Sequence, residues 1–263
     1  MVAAGGAKAA PANIILIIGD DMGVETLSSY GLVDDPPKTP ALDKLAREGV
    51  RYNNFWAQPV CSPTRATIIT GRYGFRTGIG RPVGSAELPP PPEKQASAPA
   101  ESTNHSYPYS ASAEDRAMPR PFLLLDEFTL PMALKANGDA AFSTAAIGKW
   151  HLASEGNGWI DHPNLAGFDH FAGLMPGGPE SYFAWNKVVD GKVEGKTGYT
   201  AADKVDDAIA WLDQRNDDKP WFLWFAFNLA HTPLHVAPEK HLRSDHSECR
   251  SERIAQAKLG SSI

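Results

Sequence analysis

The chain has 263 residues, 42% hydrophobic and 21% charged, with two cysteines; these values lie near globular averages and exclude a collagen-like rod, wholesale disorder and a disulfide-dense miniprotein. Twenty-five Lys and Arg against 31 Asp and Glu leave a formal charge of -6, and no basic run offers the electrostatic footprint that nucleic acid requires. The longest aliphatic run, Ile14 to Ile18, is far short of the ~20 residues of a transmembrane helix, so neither a nucleic-acid partner nor a membrane span is expected.

Residues 1–12 are rich in Ala and Gly, lack the apolar stretch of a complete signal peptide and read as a flexible N-terminus, compatible with what remains after a leader is removed. Asn13 to Ile18 is β-branched and apolar on both faces, which predicts a central parallel strand ending in Gly19, Asp20 and Asp21. Thr39 and Pro40 suit the N-cap and first position of a helix with an apolar stripe of Ala41, Leu42, Leu45 and Ala46 and a stop at Gly49. Val50 to Ala57 predicts a second strand. Ser62 and Pro63 open another helix that runs through Thr64 to Thr70 and closes at Gly71, leaving Cys61 just ahead of a helix N-terminus. Residues 82–121 hold nine of the chain's 22 prolines and read as an insertion or surface loop. A helix over 129–137, interrupted by Pro131 and stopped by Gly138, precedes a strand from Phe142 to Ile147 that delivers Lys149 and His151. Val205, Ala208, Ile209 and Leu212 form the stripe of a helix over 200–215, and Pro220 to Phe227 predicts a buried strand with Asn228 and His231 just past it. Residues 241–263 are polar and weakly patterned and read as a tail. The alternation predicts an α/β fold, a largely parallel sheet flanked by helices.

Ligands of such sheets bind beyond the strands' carboxyl ends. Three predicted strands bring Asp20 and Asp21, Lys149 and His151, and His231 to that edge. Adjacent carboxylates repel by roughly 4 kcal/mol at 4 Å and an effective dielectric of 20. A hard divalent cation, Ca2+ or Mg2+, would offset that repulsion; a carboxylate that merely caps the next turn would need none. Cys61 followed by Arg65 places a sulfur nucleophile and a multi-donor cation where a helix terminus favours negative charge. Cys61 is also open to reading as a buried free thiol, the commonest fate of a lone cysteine, as a disulfide partner of Cys249, for which nothing positive speaks, or as the nucleophile of a cysteine hydrolase, a chemistry with no use for Asp20 and Asp21. Lys149 and His151 alternate across Trp150, so extended chain points both to one side and joins charge stabilisation to proton transfer. His231 adds a second imidazole, while His235, His241 and His246 read as surface residues. The aromatic run Trp221 to Phe227 reads as buried strand, and Asp203, Asp206, Asp207 and Asp213 as a solvated helix face.

Taken in order, Asp20 to Gly23, Tyr30-Gly31, Thr39 to Ala46, Cys61-Ser-Pro-Thr-Arg65, Thr70-Gly71, Gly148 to Leu152 and His231 to Leu234 resemble the N-terminal part of the sulfatase family, in the alkaline-phosphatase-like superfamily, over about residues 13–238. The resemblance implies a sulfuric ester hydrolase of the arylsulfatase type with its N-terminal catalytic domain over residues 13–240. It implies that a separate formylglycine-generating enzyme oxidises Cys61 to formylglycine, whose hydrate is the nucleophile. It further implies that Asp20, Asp21 and modified residue 61 contact a divalent cation, usually Ca2+, with Mg2+ an alternative. Arg65 and Lys149 would stabilise the hydrate and the sulfate charge, His231 would protonate the leaving alcohol, and His151 would take the proton that releases sulfate. The implied substrate is a sulfate-ester small molecule or glycan, and the implied compartment is periplasmic, extracellular or lysosomal. Family members continue past the His231 region with an Asp-Asn metal pair, another active-site Lys and a smaller C-terminal domain. No Asp-Asn pair follows His231 here, so the chain is expected to be truncated at its C-terminus, to lack part of the cation shell and one sheet edge, and to have impaired activity. Two alternatives stand beside this expectation: a phosphodiesterase or phosphonate monoesterase of the same superfamily, which asks for a similar cationic clamp, and a non-catalytic fragment that binds anions or a partner.

Overall fold

The computed structural model describes residues 11–84, 122–136, 141–215 and 218–241. Most of the expected Pro-rich insertion, most of the N-terminal segment, Gly138, His246, Cys249 and the tail beyond His241 lie outside the described residues.

The described residues form one six-stranded sheet in the order β1-β6-β2-β3-β4-β5. The strands are β1 Ile14–Asp20, β2 Ser143–Lys149, β3 His170–Leu174, β4 Ala184–Val189, β5 Lys192–Thr197 and β6 Trp221–Ala230. β1, β6, β2 and β3 run parallel, and β4 and β5 are appended antiparallel. The helices are α1 Pro40–Glu48, α2 Cys61–Thr70, α3 Gly74–Thr77, α4 Leu130–Lys135, α5 His162–Leu165 and α6 Thr200–Asp213.

Alternation along the central strands divides the core between the two sheet faces. On one face Ala146, Phe222, Trp224 and Ala226 pack with Ala66 and Ile69 of α2 and with Trp150, Phe168 and Phe171. On the other, Ala145, Ile147, Leu223 and Phe225 pack with Ala208 of α6. The aromatic run is thus a buried central strand. Gly148 lets β2 and β6 stay close at their carboxyl ends: its φ is 104°, and a Cβ there would lie 1.8 Å from the Ala226 carbonyl oxygen.

Several local expectations are corrected. Among the described residues β1 lies at the edge of the sheet, not at its centre, and Ile15 and Ile17 are 49% and 47% exposed. Its apolar pattern was a true strand signal, but pattern alone does not reveal how many neighbours a strand has. Residues 50–57 form no strand, and Val50, Tyr52, Phe55 and Trp56 are exposed; β-branched and aromatic composition favours a strand only where a partner supplies hydrogen bonds. α2 begins at Cys61 with the extended Val60 as its N-cap, because the Ser62 hydroxyl is engaged elsewhere, donating to His151 O at 2.8 Å. Asn228 lies inside β6 rather than beyond it. Nor is the acidic face of α6 simply solvated, since Asp203 and Asp207 pair with buried Lys187 of β4.

Candidate active site at the strand ends

β6 lies between β1 and β2, so the loops that leave these three parallel strands meet. This order gathers Asp20 and Asp21 at the end of β1, Lys149 and His151 at the end of β2, and His231 just past β6. The N-terminus of α2 adds Cys61 and Arg65.

Cys61 Sγ lies 3.2 Å from His151 Nδ1. The other ring nitrogen, Nε2, is 2.9 Å from Val83 O, an acceptor only, so Nε2 carries the proton and Nδ1 presents its lone pair to residue 61. Burial, aided by the nearby Lys149 charge, lowers the His151 pKa to about 4, which keeps the ring neutral at physiological pH. Ser62 holds this arrangement from both sides: its hydroxyl donates to His151 O and accepts from Val83 N at 3.0 Å. His151 itself has φ 57°, so the chain turns after β2 instead of continuing extended, and the ring reaches residue 61 by that turn.

Arg65 and Lys149 are fully buried and flank Asp20. Lys149 Nζ is ion-paired with Asp20 Oδ2, and Arg65 Nη2 lies 3.6 Å from Asp20 Oδ1. Arg65 Nη1 donates to Lys149 O at 2.7 Å, whereas Nε and Nη2 have no hydrogen-bond partner. Burial lowers the Arg65 pKa, opposed by the charge of Asp20. Two cations held behind the thiol, one with unpaired donors, suit an oxyanion.

Asp21, with φ 58°, points outward and is 64% exposed. Its Oδ2 lies 3.9 Å from His231 Nε2, while His231 Nδ1 donates to Thr232 O at 2.8 Å. Asp20 and Asp21 offer hard oxygen donors, the chemistry a Ca2+ or Mg2+ ion requires, with Asp20 set against Lys149 and Arg65 and Asp21 facing outward near His231. No group of three or more His, Cys, Asp and Glu side chains suited to a metal occurs among the described residues. The two carboxylates therefore fit part of a cation shell and not a whole one. Cys61 is a free thiol.

Sequence reasoning missed the residues that hold the imidazoles. A Cβ on Gly177 would lie 2.7 Å from His151 Cε1, and one on Gly178 would lie 3.1 Å from His231 Nδ1. Two adjacent glycines after β3 thus make room for both rings, and the run Pro176-Gly-Gly-Pro179 was the available signal. Tyr182 Oη lies 2.6 Å from Asn228 O and 2.7 Å from His231 O, anchoring the loop that carries His231. Asn228 is buried, with both side-chain polar atoms unpartnered. Among the histidines read as surface residues, His235 is half-buried and stacks on Tyr182.

The model of the Sulfatase family matches residues 12–254. The chain is 29% identical over 262 residues to arylsulfatase J of Mus musculus, covering 92% of this chain and 36% of that protein. It is 30% identical over 247 residues to N-acetylgalactosamine-6-sulfatase of Sus scrofa, covering 86% of this chain and 41% of that protein. Among solved structures, BT4656 in complex with its substrate D-glucosamine-2-N,6-O-disulfate superposes with a TM-score of 0.60 at 27% identity, covering 86% of this chain and 36% of that one. The chain therefore spans about two fifths or less of the length of these relatives. Strand-end carboxylates, cations and imidazoles gathered around a helix-initiating cysteine, within a sequence matched by the family from residue 12 to residue 254, place the chain in the sulfatase family.

Proposed function

We propose that residues 13–240 carry the nucleophile-bearing part of a sulfuric ester hydrolase of the arylsulfatase type. The observation that carries this reading is the 3.2 Å approach of Cys61 Sγ to the unprotonated His151 Nδ1, with Arg65 and Lys149 buried behind it. Conversion of Cys61 to formylglycine by a formylglycine-generating enzyme would supply a hydrated aldehyde, whose hydroxyl is a nucleophile that a thiol does not offer. Asp20, Asp21 and residue 61 would hold a divalent cation, preferably Ca2+, that neutralises charge on a sulfate oxygen.

The chain's own residues have separable tasks. Arg65, whose Nε and Nη2 have no hydrogen-bond partner, would donate to a sulfate oxygen, and Lys149 would add a second fixed positive charge; both act from a dry site where such interactions are strong. His151 takes a proton from the side chain of residue 61 at Nδ1, its Nε2 being committed to Val83 O. His231, with Nδ1 committed to Thr232 O, presents Nε2 as the group that would give a proton to the departing alcohol oxygen. The expected substrate is a sulfate-ester small molecule or glycan. We place this chemistry outside the cytoplasm; among the described residues no helix is long and apolar enough to cross a membrane.

Coexpression with a formylglycine-generating enzyme, followed by peptide mass spectrometry and assay with 4-nitrophenyl sulfate, tests the reading. Conversion at residue 61 and turnover that scales with conversion are expected, as is loss of both in Cys61→Ala. Full conversion without sulfate release, or faster release from matched phosphate and phosphonate esters, would sink it.

A further inference from the structure

α6 meets β4 along a polar stripe. Trp185 and Lys187 alternate along β4 and so share one face, while Thr200, Asp203, Lys204 and Asp207 recur along α6 at the spacing of one helical side. Lys187 takes both carboxylates of that stripe, Asp203 and Asp207. The cation of α6 is left with Trp185: Lys204 is buried, with Nζ 5.5 Å from the centroid of the indole ring, and among the described residues no hydrogen bond or ion pair engages it.

The groups around this ammonium are donors that lack acceptors. Trp185 Nε1 and the Thr200 hydroxyl are buried and have no hydrogen-bond partner. Trp185 Nε1 belongs to the ring that faces Lys204. Thr200 lies one turn before Lys204, on the side toward which a helical side chain leans, and its backbone N–H donates to Tyr182 O at 3.0 Å, which ties it to the chain just ahead of β4. Thr200 is also the first residue of α6, where the helix dipole adds partial positive charge. An ammonium and an indole N–H can only donate, and leaving such groups buried and unpaired costs their desolvation. A water would bring two more donors to a place that already has an excess of them.

Charge sets the valence of what would fit. Burial lowers the Lys204 pKa to about 7, opposed by the charges of Asp203 and Asp207, with Lys187 and Arg65 also within electrostatic reach. Counting Lys204 itself, three cations stand against two carboxylates, which leaves one positive charge. A single negative charge cancels it, and a divalent anion would overshoot.

We propose that Lys204 Nζ, Trp185 Nε1 and Thr200 Oγ form a buried binding site for one small monovalent anion of the halide class, which pins the start of α6 to β4. The site is separate from the strand-end residues that meet sulfate and stands whether or not the chain hydrolyses sulfate esters.

The test follows the indole N–H resonance of Trp185 in proton-nitrogen NMR spectra, assigned through Trp185→Phe, while sodium chloride replaces sodium gluconate at constant ionic strength. A saturable shift is expected with chloride and with bromide, together with a rise in Tm of about 3 °C across the titration. Both responses should vanish in Lys204→Met. In Thr200→Val, which keeps the volume and removes the hydroxyl, saturation should need about tenfold more chloride, the loss of one hydrogen bond to an ion. An indole resonance that stays still in the folded wild type, that moves equally in Thr200→Val or still moves in Lys204→Met, or that moves while Tm stays constant overturns the proposal.

Discussion

His162 shows how burial sets the behaviour of a single group. It accepts from Trp150 Nε1 at Nδ1, 3.0 Å away, and donates from Nε2 to Leu123 O at 3.1 Å, so the neutral ring satisfies both nitrogens. Burial lowers its pKa from 6.5 to about 4, opposed by the bond to Leu123. Between those values the unfolded chain binds the extra proton, so stability rises with pH through the window and is lost as pH falls. His151 contributes a slope of the same sign, which makes the difference between wild type and His162→Gln the informative quantity. That difference in urea-unfolding free energy should shrink by about 3 kcal/mol from pH 7 to pH 4; a constant difference would refute the assignment. Gly177 makes the complementary point about space. In Gly177→Ala the new Cβ, 2.7 Å from His151 Cε1, should turn the ring off Val83 O and residue 61. In the converted protein kcat should fall at least ~10-fold, as misplaced proton-transfer groups do, and the His151 ring nitrogen shifts should move in NMR spectra. Cys61, Arg65, Lys149 and His151 were legible as candidates because each lies at the end of a recognisable element. Gly177, Gly178 and Ser62 were not, because their roles are defined by what would collide or go unpaired, and both depend on distant chain.

At the scale of elements, hydrophobic period located strands β1, β2 and β6 and the longer helices, but neither the parallel strand β3 nor the antiparallel pair β4 and β5. The β4–β5 hairpin turns through Asp190 and Gly191, with φ 43° and 75°, the Asp-Gly pairing that favours a tight two-residue turn. That dipeptide was visible, but β5, Lys-Val-Glu-Gly-Lys-Thr, is too polar to read as a strand by its own period. It is held by its partner β4. Lys187 of β4 in turn reaches across to α6, with Nζ 2.9 Å from Asp203 Oδ2 and 2.6 Å from Asp207 Oδ1. Removing this cation leaves two carboxylates facing each other where solvent only partly screens them. We therefore expect Lys187→Met to cost about 3 kcal/mol in urea unfolding, at the lower end for breaking a buried pair because both carboxylates are partly exposed. A change below about 0.5 kcal/mol would mean that Asp203 and Asp207 are solvated independently of the lysine.

For the whole molecule, strand order is the decisive fact. With β6 between β1 and β2, three segments far apart in the chain deliver their polar ends to one point, as parallel sheets do at their carboxyl edges. Among the described residues the same order leaves β1 paired on one side only, and the apolar run Ile14 to Ile18 lacks the charges that usually blunt such an edge. Ile15→Lys, at a half-exposed position, should reduce concentration-dependent association in light scattering while changing stability by no more than about 0.5 kcal/mol; undiminished association would show that another surface is responsible.

The amino-acid sequence by itself determined the alternation of strands and helices, the family and the chemical types collected at the site, because periodicity, capping residues and short motifs are local. The tertiary structure alone decided that β1 lies at the edge of the described sheet, that Ser62 braces His151 instead of capping α2, and that two glycines seat the imidazoles. Each of these depends on which distant segment packs alongside, and no local pattern encodes its neighbours.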